Sequence, residues 1–351
     1  MAPGVRPGPG EEEQPPLVAV VGPTATGKSD LGVALALALG GEVINADASQ
    51  LYRGMDVGTA KLPVVERRGV PHHQLDVLDV REEASVAVYQ RAARAAVADV
   101  RARGLVPVLV GGSGLYVRAV LDALEFPGTD PQVRARWQAE ADRLGAPALH
   151  ARLAELDPAA AAAVLPTNER RVVRALEAIE VSGRPFSATM PRYEHPAELE
   201  PVVQVGLRLP RPVLDERVAR RVRAMAGAGL VEEVRRLEGA GLREGRTAPR
   251  ALGYAQVLDH LDGRCSLEEA LAATTAATRR FARRQESWFR RDPRVRWLDV
   301  DQGGGDVDQG RGGGDEGGEL LARALAALGP VAVARAAGPR SCEEGGRAPG
   351  A

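Results

Sequence analysis

Gly22-Pro23-Thr24-Ala25-Thr26-Gly27-Lys28-Ser29 follows the apolar run Leu17–Val21 and precedes a Leu/Ala-rich stretch from Asp30 to Leu39. This order reads as a buried strand, a tight loop and a helix. The octapeptide fits G-x-x-x-x-G-K-[ST], in which glycines let successive backbone N–H groups face phosphate oxygens and the helix N-terminus adds its positive end. Gly22, Pro23, Thr24, Ala25, Thr26, Gly27, Lys28 and Ser29 are therefore the candidate phosphate-binding residues. Lys28 supplies a full charge, and Ser29 is placed to hold a Mg²⁺ ion bridging the phosphates. Of 46 basic residues only Lys28 and Lys61 are lysines. A compact ammonium in a tight cradle is a task that arginine performs poorly. Nucleotide hydrolysis, phosphoryl transfer and departure of a diphosphate all use such a cradle, so the motif alone leaves the ligand open.

Outward from the loop, Glu42–Ala46 reads as a second strand. Val106–Val110 reads as a third, preceded by an alanine-rich helix at Val86–Arg103. Strands alternating with helices predict a parallel sheet. Another apolar strand, Val202–Leu209, returns only after a stretch that is helical in pattern. In that stretch Asp130-Pro131 and Asp157-Pro158 open helices, and Thr167 or Asn168 caps a third running to Val181. Further helices are predicted at Pro212–Gly229, Val231–Leu237, Ser266–Ala277 and Thr278–Arg291. The expected fold is α/β, a P-loop NTPase-like parallel sheet with flanking helices and an inserted helical domain. Its core is expected at 16–129 plus 199–300 and the insertion at 130–198. Residues 1–15, rich in Pro and Gly, and 301–351, with a Gly/Asp/Gln tract at 302–318, are expected to be disordered tails.

The chain of 351 residues is 44% hydrophobic, enough for at least one sizeable core. A formal charge of −1 gives no global positive field, so any basic surface is local. Cys265 and Cys342 belong to no Cys-x-x-Cys or Cys/His pattern, which argues against a disulfide framework or zinc site. The first residues lack the order of a signal peptide, and no apolar run approaches the roughly 18 residues a membrane helix needs. A soluble cytoplasmic protein that acts as a monomer, away from membranes, is expected.

Asn45-Ala46-Asp47-Ala48-Ser49-Gln50-Leu51-Tyr52 lies at the carboxyl end of the second strand, where open parallel sheets gather ligands. Asp47 is a candidate general base there, although an aspartate at that position also serves as a cap for the next turn. The loop Tyr52–Lys61 is rich in glycine and polar groups. Gly111-Gly112-Ser113-Gly114-Leu115-Tyr116 closes the third strand with a second glycine-rich turn and presents the Ser113 hydroxyl.

In this order and spacing, Gly22–Ser29, Ala46–Lys61 and Gly111–Tyr116 resemble the signature of the tRNA dimethylallyltransferases, also called tRNA isopentenyltransferases. The likeness continues through Pro71-His72-His73, Val133–Arg136, Arg170–Glu177, Arg250–Tyr254 and Arg279–Arg291, and covers roughly residues 17–300. It implies a sheet domain pierced by a channel, with dimethylallyl diphosphate entering from one side. The adenine beside the anticodon is flipped in from the other side, and the phosphate loop holds a leaving group, with no ATP required. It also implies that Asp47 takes the proton of the adenine N6 amine, that Ser113 contacts substrate, and that Arg217 and Arg221 attend the diphosphate. The implied tRNA contacts are Asp47, Ala48, Ser49, Gln50, Ser113, Arg134, Arg170, Arg171, Arg174, Arg250, Gly253, Tyr254, Arg283 and Arg284. Two positions depart from the family pattern. Ala48 stands where a serine is common, and Leu62 precedes Pro63 where Lys-Pro is common.

Between Arg279 and Arg296 eight arginines interleave with Phe281, Trp288, Phe289 and Trp297. Arginine forks fit phosphates and aromatic faces support unstacked bases, while an amphipathic helix with its aromatics in the core has the same pattern. Three rival functions share part of this evidence. An adenylate isopentenyltransferase acting on free nucleotides has less use for the insertion and the arginine-rich segment. A P-loop small-molecule kinase requires a nucleotide and a phosphate acceptor, and a non-catalytic RNA-binding module predicts binding without transfer.

Overall fold

The run Leu17–Val21 is buried on both faces, as a central strand of a parallel sheet must be, and forms β1 of the computed structural model, which describes residues 14–190, 193–300 and 316–329. In chain order there follow α1 (Lys28–Leu39), β2 (Gly41–Asn45), β3 (His72–His73), α2 (Val86–Ala102), β4 (Val106–Gly111), α3 (Gly114–Leu121), α4 (Pro131–Leu144), α5 (Ala146–Leu156), α6 (Pro158–Ala163), α7 (Glu169–Ser182), β5 (Val202–Arg208), α8 (Arg211–Gly227), α9 (Leu230–Gly239), α10 (Tyr254–Leu261), α11 (Leu267–Phe289), β6 (Val295–Asp299) and α12 (Glu316–Leu328). The six strands form one sheet in the order β3-β2-β4-β1-β5-β6, with every pairing parallel. The expected parallel α/β sheet is present. β3 and β6 extend it at the two edges, where sequence periodicity over two residues, or over Val295-Arg296-Trp297, gives no strand signal.

Two compact units are present. One comprises the described residues up to Val120 and from Ala197 onward, and the other is Leu121–Pro196. The helical insertion therefore begins nine residues earlier than the expected 130–198 and closes two residues sooner. Its core is Leu149, Leu153, Val172, Val173 and Leu176 with the small residues Ala160 and Ala161. Losing one such leucine to alanine costs about 2–5 kcal/mol. Asp130 accepts from the N–H groups of Gln132 (2.8 Å) and Val133 (3.2 Å), and Asp157 from that of Ala160 (3.0 Å), so both Asp-Pro pairs open helices as predicted. Asn168 accepts from Arg171 N–H at 3.3 Å and caps α7.

In the sheet unit, α1 packs Leu31, Val33, Leu35 and Leu39 on Val18, Val20, Val43 and Val108. The expected tail at 301–351 needs correction within its described part. α12 joins this same core through Ala324 and Leu328, both buried, with Leu320, Leu321 and Leu325 packed beside them. The glycine-rich tract before it conceals an amphipathic turn pattern. The rest of that segment, residues 1–13 and Cys342 lie outside the described residues. A second core gathers Tyr52, Met55, Leu230, Val234, Leu237, Tyr254 and Val257. The two helices predicted at Ser266–Ala277 and Thr278–Arg291 are one, α11, because no glycine or proline interrupts Leu267–Phe289. Ser266 and Glu269 cap it reciprocally, side chain to backbone, at 3.2 and 2.8 Å. β2, β4 and β1 are neighbours, so the loops that leave their carboxyl ends converge.

Candidate active site

The loop after β1 turns into α1 through Gly27, whose φ of 87° is left-handed and favours glycine. Thr26 Oγ1 donates to Pro23 O at 2.9 Å, and Lys28 Nζ donates to the same carbonyl at 2.5 Å. The ammonium is thus folded over its own loop. Burial, and then the neighbouring Arg221 guanidinium, push the Lys28 pKa down to about 7, against a smaller opposing pull from Asp47. Arg221 Nη1 donates to Thr24 Oγ1 at 3.2 Å, while its shielded Nε has no hydrogen-bond partner. A buried donor of this kind fits an anion that shares the cradle. Arg217, on the same face one turn earlier in α8, is buried.

Asp47 follows β2 at the start of the short helical turn Ala48–Leu51 and accepts from Ser49 N–H at 3.0 Å. Asn45 fixes the backbone around it, accepting from Asp47 N–H and donating to Asp47 O, both at 3.0 Å. Ser113 Oγ accepts from Ala48 N–H at 3.1 Å, which ties the turn after β4 to the same segment. Burial raises the Asp47 pKa above the usual carboxylate range, opposed by the Ser49 N–H, Lys28 and Arg221. The capping and base roles are therefore compatible. One carboxylate oxygen caps the turn while the group lines a cavity.

Two cavities meet at the cradle. The larger, about 650 Å³, is lined by Lys28, Ser29, Leu62, Arg217, Arg220 and Arg221 among others. The smaller, about 70 Å³, holds Asp47 between Thr24, Lys28, Arg221 and the apolar Val43, Leu62 and Leu75. Lys28, Ser29, Leu62 and Arg221 border both. A cationic chamber thus gives onto a narrow, partly apolar one that holds a carboxylate. Leu62, one of the two departures from the family pattern, stands at their junction. Gln50 donates to Thr59 O at 3.1 Å, which draws the 55–61 loop against this chamber.

Several expected tRNA contacts are placed differently. Tyr254 is fully buried, and its hydroxyl donates to Glu233 Oε1 at 2.6 Å; Gly253 beside it is buried as well. Glu233, itself buried, accepts from the N–H groups of Asp56, Val57 and Gly58 at 2.8–3.0 Å. Tyr254 therefore anchors the 55–61 loop and has no surface to offer RNA, because a ring in the core satisfies its hydroxyl internally. Within the insertion, Arg134 and Arg174 both pair with the fully buried Glu177, at 2.7 and 3.0 Å. Their guanidinium groups neutralise a charge that burial would otherwise penalise. Arg170, Arg171 and Arg250 are exposed, as are Arg283 and Arg284 on α11, neither of which forms an ion pair among the described residues. Of the α11 aromatics, Phe289 is buried, the Trp288 indole lies against Gly114, and Phe281 is part-exposed with the Arg284 guanidinium 5.8 Å from its ring centre. Lys61 is buried and donates to Tyr52 O, Asp56 and Asp76 at 2.6–2.9 Å, which makes it a staple of its loop.

Two residues escaped the sequence reading. Gln285 of α11 accepts from Thr24 N–H and donates to Gly112 O, both at 2.9 Å. Glu233 falls on the apolar face of α9, beside Leu230, Val234 and Leu237. A buried polar residue inside an apolar period is the signal that would have found either one.

The profile of the IPP transferase family matches residues 50–292, and that of isopentenyl transferase matches residues 15–75. The chain belongs to the IPP transferase family. Among curated relatives of this IPP transferase, the tRNA dimethylallyltransferase of Kineococcus radiotolerans is 66% identical over 294 residues, 82% of this chain and 92% of that protein. That of Thermobifida fusca is 66% identical over 290 residues, 81% and 90% of the two chains. A solved tRNA isopentenylpyrophosphate transferase from Bacillus halodurans superposes with a TM-score of 0.63 at 40% identity, covering 89% of this chain and 96% of that one. A eukaryotic dimethylallyltransferase acting on tRNA shares the fold, with a TM-score of 0.73 at 24% identity over 89% of this chain and 78% of its own. As an IPP transferase the chain is an enzyme of the prenyltransferase class, and no described helix is long and apolar enough to cross a membrane.

Proposed function

We propose that this chain transfers a dimethylallyl group from dimethylallyl diphosphate to the N6 amine of the adenosine immediately 3′ of the anticodon in tRNA, releasing diphosphate. The supporting observation is the junction of the two cavities, where Lys28 and Arg221 border both the cationic chamber and the chamber holding Asp47. The C1–O bond to the diphosphate breaks as the N6–C1 bond forms, and Asp47 takes the amine proton. An adenine amine is a poor nucleophile because its lone pair is delocalised into the ring, so a base at the point of attack matters. Lys28, the loop N–H groups, Arg217 and Arg221 stabilise the departing charge. Val43, Leu62 and Leu75 shelter the allylic carbons from water. Ser113 positions the Asp47 turn through Ala48.

Ser29 would hold a magnesium ion shared with the diphosphate. A single hydroxyl, with no cluster of three His, Cys, Asp or Glu among the described residues, fits an ion that takes most of its ligands from phosphate and water. Such an ion would supply neutralising charge at the leaving group. A target base inside a folded loop must be extruded to reach Asp47, at a cost of a few kcal/mol. The exposed arginines of α11 and of the insertion are suited to offset this through backbone contacts. A monomeric working state in the cytoplasm is part of the same proposal. Labelled dimethylallyl diphosphate incubated separately with unmodified tRNA and with AMP tests it. Label in tRNA alone is the expected result, while label in AMP alone would mark an enzyme of free nucleotides.

A further inference from the structure

We propose that Gln285 is a positioning residue that holds the phosphate loop and the Gly112–Ser113 turn in register, and thereby couples the arginine face of α11 to diphosphate binding. Gln285 is 4% exposed, and its amide uses both of its capacities. Oε1 accepts from Thr24 N–H in the cradle, and Nε2 donates to Gly112 O after β4, each at 2.9 Å. A carboxylate there could make only the first contact. The fit leaves no slack, because a Cβ at Gly112 would lie 2.3 Å from Nε2.

Each end of this bridge leads into the chemistry. Thr24 also receives Arg221 through its hydroxyl, and Ser113, next to Gly112, accepts from Ala48 N–H beside Asp47. One side chain of α11 therefore spans the anion cradle and the turn that positions the base. One turn further along, Trp288 packs where a Cβ on Gly114 would lie 2.3 Å from the indole. α11 cannot shift without moving both walls of the site. Arg283 and Arg284 precede Gln285 on the same helix, exposed and without an ion pair among the described residues. An RNA backbone seated on them restrains α11, the bridge passes that restraint to the phosphate loop, and by linkage a bound diphosphate favours the RNA in return. This rests on the RNA partner proposed above.

The test compares the full chain with Gln285→Leu and Gln285→Glu. Inorganic diphosphate binding is titrated calorimetrically with and without an unmodified anticodon stem-loop, RNA binding is measured alone, and prenyl transfer by the unaltered enzyme is followed alongside. The unaltered enzyme is expected to bind diphosphate at least about fivefold tighter when RNA is present. Gln285→Leu should lose that gain while binding RNA alone within about twofold of normal. Gln285→Glu should lose it at neutral pH and recover it relative to the unaltered enzyme in acid, where a protonated carboxyl again donates to Gly112 O. Should Gln285→Leu fail to fold, the acid recovery of Gln285→Glu decides. Coupling that persists in both variants, or diphosphate binding that weakens equally with and without RNA, overturns the proposal. Absence of prenyl transfer by the unaltered enzyme would instead overturn the functional reading.

Discussion

At Lys28, burial and Arg221 leave the cradle half discharged near neutrality, and an incoming diphosphate restores the missing proton. With the free pKa at about 7 and the bound value higher, the Lys28 contribution to affinity is flat below pH 7. Above pH 7 it falls, by up to about tenfold per unit, until the bound value is passed. Calorimetry at pH 8 in buffers of different ionisation heat should show more proton uptake on binding of inorganic diphosphate by the unaltered enzyme than by Lys28→Arg, the anion's own ionisation being common to both. Equal buffer dependence in the two proteins would refute this. Asp47→Asn keeps an oxygen for Ser49 N–H but cannot take a proton, so prenyl transfer should drop ~10²–10⁴-fold while diphosphate binding persists. Undiminished transfer in that variant removes Asp47 as the base. Both residues were legible because each belongs to a local motif after a recognisable strand. Gln285 was not, since its partners Thr24 and Gly112 lie in distant segments and the adjacent Arg283 and Arg284 directed the reading of that stretch toward RNA.

Among elements, the 55–61 loop shows why resemblance transfers positions better than roles. Tyr254 lies in a stretch that the likeness associates with RNA, yet its ring fills the core and its hydroxyl meets Glu233, which holds three loop N–H groups. Tyr254→Phe should lower stability by ~1–2 kcal/mol in urea denaturation and leave RNA affinity nearly unchanged. Weakened RNA binding at full stability would mean that the ring faces RNA after all. Arg134 of α4 and Arg174 of α7 teach the same lesson, since one-dimensional reading sees cations on two separate helices and cannot see that both reach the buried Glu177. The continuity of α11 was hidden for a related reason: Thr274, Thr275 and Thr278 weaken helix propensity locally, and packing along its full length overrides them.

For the whole molecule, the correction at the carboxyl end matters most. α12 completes the apolar cover over α1, β5 and β6, so a chain ending at Val300 should melt at a lower temperature than the full chain. An unchanged midpoint would show that α12 contributes nothing to stability. The order of the sheet carries a separate consequence for biosynthesis. Leu17 pairs on one side with Val202, and Val18 pairs on the other with Val108, so the strand bearing the cradle acquires its second neighbour only after the entire insertion has been translated. Gln285 emerges later still. A ribosome-bound nascent chain should therefore hold its insertion helices before it can grip diphosphate, and capture of that anion would report the last stage of assembly.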